Sequence, residues 1–167
     1  MTSTAVPRHH RWRLALLAAF VVCAWSGGAR AADRAAWDFT LPTLEGDRFV
    51  RLSKLSGPVL VNFWGRDCPP CVAELPRLQA FAAANPGWTI LLVCTDEPQA
   101  ARVFLQKHHI TLTALKPGAN VVGLMHRAGN RDGGLPFTVV LRDASVRATH
   151  EGGLSEADLE ALRSEKR

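Results

Sequence analysis

The feature that most restricts the fold is a junction. Pro58 to Phe63 (PVLVNF) is a short apolar, β-branched run, and it leads within a few residues into Cys68-Pro69-Pro70-Cys71. Such a run fits a strand buried on both faces of a sheet. Proline is favoured in the first turn of a helix, where its missing N–H costs nothing. Leu75, Leu78, Phe81 and Ala82 then supply an apolar stripe, and Asn85-Pro86-Gly87 ends it. The spacing predicts a strand that delivers a cysteine pair to the start of a helix. Pro76 falls inside that helix and is expected to kink it, because it lacks an N–H and crowds the preceding turn.

The remainder of the chain alternates. Residues 37–57 read as short extended pieces around a Glu45-Gly46-Asp47 turn, followed by one helical turn. Trp88 to Cys94 is a second strand. A helix follows, with Thr95 or Asp96 as its N-cap and Pro98 in its first turn. Residues 110–116 resemble a strand, 120–128 a short helix and Phe137 to Leu141 a strand. A turn at 142–145 leads to a last strand at 146–150. Ser155-Glu156-Ala157-Asp158 opens a terminal helix as a capping box. This order predicts one layered α/β domain with a mixed sheet.

The N-terminus reads differently. Arg8, Arg11 and Arg13 precede an apolar run from Leu14 to Trp25, and Ala29-Arg30-Ala31 is an A-x-A cleavage pattern. Residues 1–31 are therefore expected to be a secretory signal peptide, with an uncleaved anchor as the alternative, and residues 32–167 to be the domain. The apolar run is shorter than the roughly 20 residues that span a bilayer. Four of the 20 Lys and Arg (Arg8, Arg11, Arg13, Arg30) lie in this leader, which leaves 20 − 4 = 16 against 15 Asp and Glu. The domain is thus nearly neutral, with no basic stripe for nucleic acid. Export places Cys68, Cys71 and Cys94 where thiols tend to oxidise. Cys94, in the apolar WTILLVC, reads as the odd one and as a small buried hydrophobe.

Cys68 at a helix N-terminus faces unpaired N–H groups and the positive end of the dipole, which favour the thiolate that attacks disulfides. Cys71, one turn in, is suited to resolve a mixed disulfide. Metal sites share the spacing, so an exported copper-binding module using the same pair, with Met125 and His126 as soft ligands, is a rival. No second cysteine or histidine pair completes a zinc ribbon, and the adjacent His108 and His109 read as helix-end residues.

VNFWGRDCPPC, Pro76 after the second cysteine, and Gly134-Leu135-Pro136 before FTVVL together resemble the thioredoxin fold. DFTLPTLEGD near the start and the unit TDEPQAARVFLQKHHITLTAL resemble the TlpA/ResA/DsbE-like branch, and the likeness runs from about Trp37 to the terminal helix. It implies a thioredoxin-like mixed central sheet flanked by helices, with an N-terminal extension and a central insert. It also implies an exported protein disulfide reductase without a cofactor. Its substrates would be oxidised protein thiols such as those of an apocytochrome c, and its electrons would come from a membrane thiol-transport protein. Contact with the membrane would be through the leader alone. Pro136 would be cis and would form, with Leu135, Trp64 and Asp67, the docking surface for a partner segment. Glu74 matches a carboxylate of ResA-like members and would assist proton movement at Cys71, the alternative being a solvated helix carboxylate.

The departures are informative. Asp67 stands where the family usually has Trp, and Asn62 where thioredoxin has a buried Asp. Asn cannot take a proton. Peroxiredoxins share the fold and the DFTLP start, but their cysteine follows a Thr at the position of Gly65. A degenerate docking module is a third alternative, which the intact cysteine pair opposes. Two prolines remove N–H donors from the motif, and Asp67 and Glu74 add negative charge, partly opposed by Arg66. Each ~1.4 kcal/mol withdrawn from the reduced form moves the couple ~30 mV toward reducing. The expectation is a weak-to-moderate reductant.

Overall fold

The computed structural model describes residues 37–164. The expected signal peptide lies outside the described residues. Among those described, no helix is long and apolar enough to cross a membrane.

Two short strands, β1 (Thr40–Pro42) and β2 (Phe49–Arg51), pair antiparallel and are followed by a single 3-10 turn, Leu52–Lys54. The domain then runs β3 (Val59–Trp64), α1 (Pro69–Ala84), β4 (Thr89–Cys94), α2 (Pro98–Lys107), β5 (Thr113–Leu115), α3 (Val121–Ala128), β6 (Phe137–Arg142), β7 (Ser145–Glu151) and α4 (Glu156–Ser164). The main sheet has the order β5-β4-β3-β6-β7, with β3, β4 and β5 parallel and β6 and β7 antiparallel. This is the mixed sheet read from the sequence. β3 is central and every residue in it is buried.

Alternation along β3 divides the core. Leu60 and Trp64 pack with Cys71, Leu75, Leu78 and Phe81 of α1, Ala101 and Leu105 of α2, and Leu159 of α4. Val59, Val61 and Phe63 face the other way, against Leu124 and Met125 of α3 and against Trp37, Leu41 and Val50 of the N-terminal segment. Each fully buried aliphatic side chain of this kind contributes about 1.5–3 kcal/mol. The N-terminal segment also closes a sheet edge. Leu44 N–H donates to Ala114 O at 2.9 Å and Lys116 N–H to Pro42 O at 2.8 Å, beside β5. These bonds occupy backbone groups that an edge strand leaves open.

Local signals agree at the β6–β7 turn and at the start of α4. Ser155 N–H donates to Asp158 Oδ2 (2.8 Å) and Asp158 N–H to Ser155 Oγ (3.2 Å), which is the reciprocal pattern of a capping box. Asp143 and Ala144 both have positive φ (51° and 58°), which turns β6 into β7 within two residues. One expectation is corrected. The N-cap of α2 is Glu97, whose carboxylate accepts from Ala100 N–H at 3.0 Å. Thr95 and Asp96 are engaged instead with β3 and the loop after it.

Candidate active site

β3 ends at Trp64 and the chain turns through Gly65, Arg66 and Asp67 into α1. The path is narrow at Gly65. A Cβ there would lie 3.3 Å from Thr95 Oγ1 and 3.6 Å from Leu135 Cδ1. Asp96 holds the same loop, its Oδ2 accepting from Arg66 N–H at 2.6 Å. The Arg66–Asp67 ion pair is 3.7 Å long with both side chains well exposed. An ion pair so solvated adds little to stability or to the local field.

Cys68 is the N-cap of α1, and Pro69 and Pro70 fill the first two helical positions. Neither proline has an N–H, so Cys71 carries the first free amide of the helix. It donates to Cys68 Sγ at 3.3 Å. Cys68 and Cys71 are joined in a disulfide with their Cα atoms 5.3 Å apart. The two sulfurs are not equivalent. Cys68 is half-buried between exposed prolines and exposed Asp67, whereas Cys71 is fully buried.

One turn on from Cys71, Glu74 is also fully buried. It is no solvated carboxylate. Its Oε1 accepts from Asn62 Nδ2 at 2.8 Å and its Oε2 from Leu154 N–H at 2.7 Å. Burial pushes the Glu74 carboxyl above its ordinary value, against the opposing pull of those two donors and of Arg77 and His150. Asn62 Nδ2 also donates to Thr138 Oγ1 at 3.0 Å, from the residue opposite it on β6. A buried carboxyl this close in sequence to a cysteine pair can hold a proton that solvent does not compete for.

The Leu135–Pro136 bond is cis, as the resemblance implied. Pro136 O accepts from Gly152 N–H at 2.9 Å. The β7–α4 segment therefore touches both the proline and, through Leu154, Glu74. Leu135 is half-buried and Pro136 is buried. Trp64 was expected at the docking surface, yet it is fully buried and its ring packs 5.6 Å from that of Phe104. It lies beneath the surface and offers no area to a docked chain.

The other candidates separate. Met125 is buried on the α3 face of the sheet, whereas Cys71 packs on the α1 face, and His126 is exposed. They do not converge on the cysteine pair. His108 ends α2 and stacks on Phe104 at 4.2 Å, in keeping with a helix-end residue. Cys94 is a free, fully buried thiol whose value burial pushes up to about 12. It behaves as the small hydrophobe read from the sequence. Sequence reasoning missed Asp96 as the anchor of the loop and Leu154 as a donor to Glu74. Local spacing holds no signal for either bond.

Comparisons with known proteins bear on the family, the fold and the reaction class. The AhpC/TSA family model matches residues 32–146. Thiol-disulfide oxidoreductase ResA of Halalkalibacterium halodurans is 30% identical over 138 residues, covering 79% of this chain and 74% of that protein. Sporulation thiol-disulfide oxidoreductase A of Bacillus subtilis is 32% identical over 77 residues, covering 44% of this chain and 46% of that protein. A secreted Mycobacterium tuberculosis disulfide oxidoreductase homologous to E. coli DsbE superposes with a TM-score of 0.65 at 26% identity, over 77% of this chain and 96% of that one. The chain belongs to the AhpC/TSA family, has the thioredoxin-like fold, and is a thiol–disulfide oxidoreductase of the ResA and DsbE kind carrying a Cys68–Cys71 pair.

Proposed function

We propose that the protein is an exported reductant of disulfides in other proteins, with Cys68 as nucleophile, Cys71 as resolving thiol and Glu74 as the group that takes the Cys71 proton. In the reduced protein the Cys68 thiolate attacks one sulfur of a partner disulfide and expels the other as a thiolate. Cys71 S–H passes its proton to the Glu74 carboxylate, and the Cys71 thiolate attacks Cys68 Sγ. The Cys68–Cys71 disulfide forms, the partner leaves with its second thiolate, and two electrons have moved to the partner. A membrane thiol-transport protein then reduces the pair again. The oxidised thiol pair of an apocytochrome c is the substrate proposed.

The observation that carries this reading is the unequal exposure of the two sulfurs, Cys68 half-buried and Cys71 fully buried with Glu74 one turn on. The half-buried Cys68 is the one a partner can reach. The partner segment would lie along Leu135 and cis-Pro136, with Asp67 at its rim and Trp64 supporting the loop from below. Export is supported by the leader pattern of residues 1–31 and by the relative described as secreted. The direction of electron flow follows from the donor count. Pro69 and Pro70 leave the Cys71 amide as the one helix N–H directed at Cys68 Sγ, so the thiolate has less stabilisation than in a motif with free central amides.

Equilibration of the pair against glutathione or dithiothreitol buffers tests the direction. The midpoint is expected at or below about −230 mV, in the reductant range. A midpoint near about −120 mV, typical of disulfide-forming oxidants, contradicts it.

A further inference from the structure

The hydrogen bonds around Glu74 fit only one of its two protonation states. Both carboxyl oxygens face donors, Asn62 Nδ2 at one and Leu154 N–H at the other. A carboxylate satisfies both. A neutral acid carries an O–H that needs an acceptor, and neither neighbour offers one in this arrangement. Yet Glu74 sits in a site that favours the neutral form through burial. Nearby, Asn62 Oδ1 is a buried acceptor with no hydrogen-bond partner. A buried acceptor left unpaired in a fully packed core asks for an explanation. The unmet acceptor and the prospective donor belong to two side chains that already touch.

We propose that Asn62 is a positioning residue for the Glu74 proton, its amide turning over when Glu74 is protonated so that Oδ1 replaces Nδ2 in front of Glu74 Oε1. The inference deepens the reading above, in which Glu74 takes the Cys71 proton. With Glu74 ionised, Nδ2 donates to Oε1 and to Thr138 Oγ1. With Glu74 neutral, Oε1–H donates to Oδ1, and the Thr138 hydroxyl rotates to donate to the same oxygen. One proton moves, from Cys71 S–H to Glu74. Asn62 gains and loses none.

Each part of the device suits this use. The terminal torsion of Asn is broad and close to two-fold, so turning over costs little in torsion. Its two ends have the same size and opposite hydrogen-bonding character. The Thr138 hydroxyl is donor and acceptor at once, so it follows either state. The position thus accommodates a change of charge without moving the backbone of β3. An Asp at 62 would put a second acid beside the first, and a Leu would answer neither state. The charged and titratable groups around the site are Arg77 on α1, His150 on β7 opposite Thr138, and Asp158 on α4, which feels the charge of His150. Burial favours the neutral state, the donors from Leu154 and Asn62 and the charges of Arg77 and His150 favour the ionised one, and their balance sets where on the pH scale the amide turns.

The test uses the full-length protein labelled with 15N and 13C, reduced with dithiothreitol and titrated by NMR. The Glu74 carboxyl carbon and the Asn62 side-chain amide are followed together. The Asn62 N–H signals are expected to shift with the same midpoint as the Glu74 carboxyl, and their cross-relaxation with the Thr138 methyl to change across it. An Asn62 amide that keeps its contacts through the Glu74 titration overturns the proposal, as does a Glu74 carboxyl that never titrates. Resolution kinetics of Glu74→Gln are read separately. Slow resolution with a stationary Asn62 amide overturns the switch and leaves the proton role standing. A turning amide with resolution unaffected in Glu74→Gln supports the switch and removes the proton role.

Discussion

Leu154 donates its backbone N–H to Glu74 Oε2 at 2.7 Å, across 80 positions of sequence. The bond ties the segment that leads into α4 to the helix that begins with the cysteine pair. Arg77 reinforces it from the same helix, its Nε donating to Leu154 O at 3.0 Å. A substitution at Glu74 therefore has a structural readout as well as a kinetic one.

The structural readout is pH dependence. Burial raises the Glu74 carboxyl above the ordinary glutamate value of about 4.3 in the folded state. Between that value and the folded one, the native protein holds more protons than the unfolded chain, so the Glu74 contribution to stability falls as pH rises. Glu74→Gln removes this contribution. The stability of the variant relative to the parent is expected to improve steadily from about pH 4.3 upward until Glu74 is fully ionised, read from urea midpoints. A parent that gains on the variant over that range contradicts the assignment. Kinetically, loss of a general base slows its step by roughly 10²-fold or more, so release of a trapped mixed disulfide is expected to slow on that scale.

Asp96 is expected to matter for the loop before Cys68. Its Oδ2 accepts from Arg66 N–H at 2.6 Å and from the Cys94 thiol at 3.7 Å. Asp96→Ala leaves the exposed Arg66 amide to water, at a cost of about 0.5–1.5 kcal/mol. Asp96→Asn keeps an acceptor oxygen and is expected to lose less. Urea unfolding of the two variants checks the order, and equal losses would contradict it.

Cys94 is expected to be chemically silent. A thiol pushed up to about 12 and fully buried supplies almost no thiolate at neutral pH. Alkylation of the native protein at pH 8, followed by peptide mass spectrometry, is expected to leave Cys94 unmodified and to label it after denaturation. Labelling of native Cys94 on the same timescale as reduced Cys68 contradicts this. Cys94→Ala is expected to leave the potential of the Cys68–Cys71 pair unchanged.

Much of this architecture is legible in the sequence because it is local. A β-branched run, two prolines after a cysteine, an i, i+3 pair and a capping box each specify their own few residues, and β3, the start of α1 and the turn into α4 follow from them. Position 74 could be placed on the same face of the helix as Cys71. Whether that face was wet or dry could not be read, because the answer lies in Leu154 and Asn62, which arrive from other parts of the chain. The same limit explains Asp96 and Glu97. Asp is a favoured N-cap type, yet Asp96 is claimed by the Arg66 amide from another loop, and the Glu97 carboxylate caps α2 instead. Trp64 is the converse case. Its place beside the motif pointed to partner docking, but the aromatic ring of Phe104 covers it.

The central claim is that Cys68 exchanges with partners and Cys71 resolves. Trapping tests it most directly. The Cys71→Ala and Cys68→Ala variants are each reduced, mixed with a disulfide-bonded protein substrate, quenched with acid and resolved on non-reducing gels. Cys71→Ala is expected to accumulate a mixed disulfide through Cys68, and Cys68→Ala to accumulate none. Accumulation in Cys68→Ala alone would contradict the account.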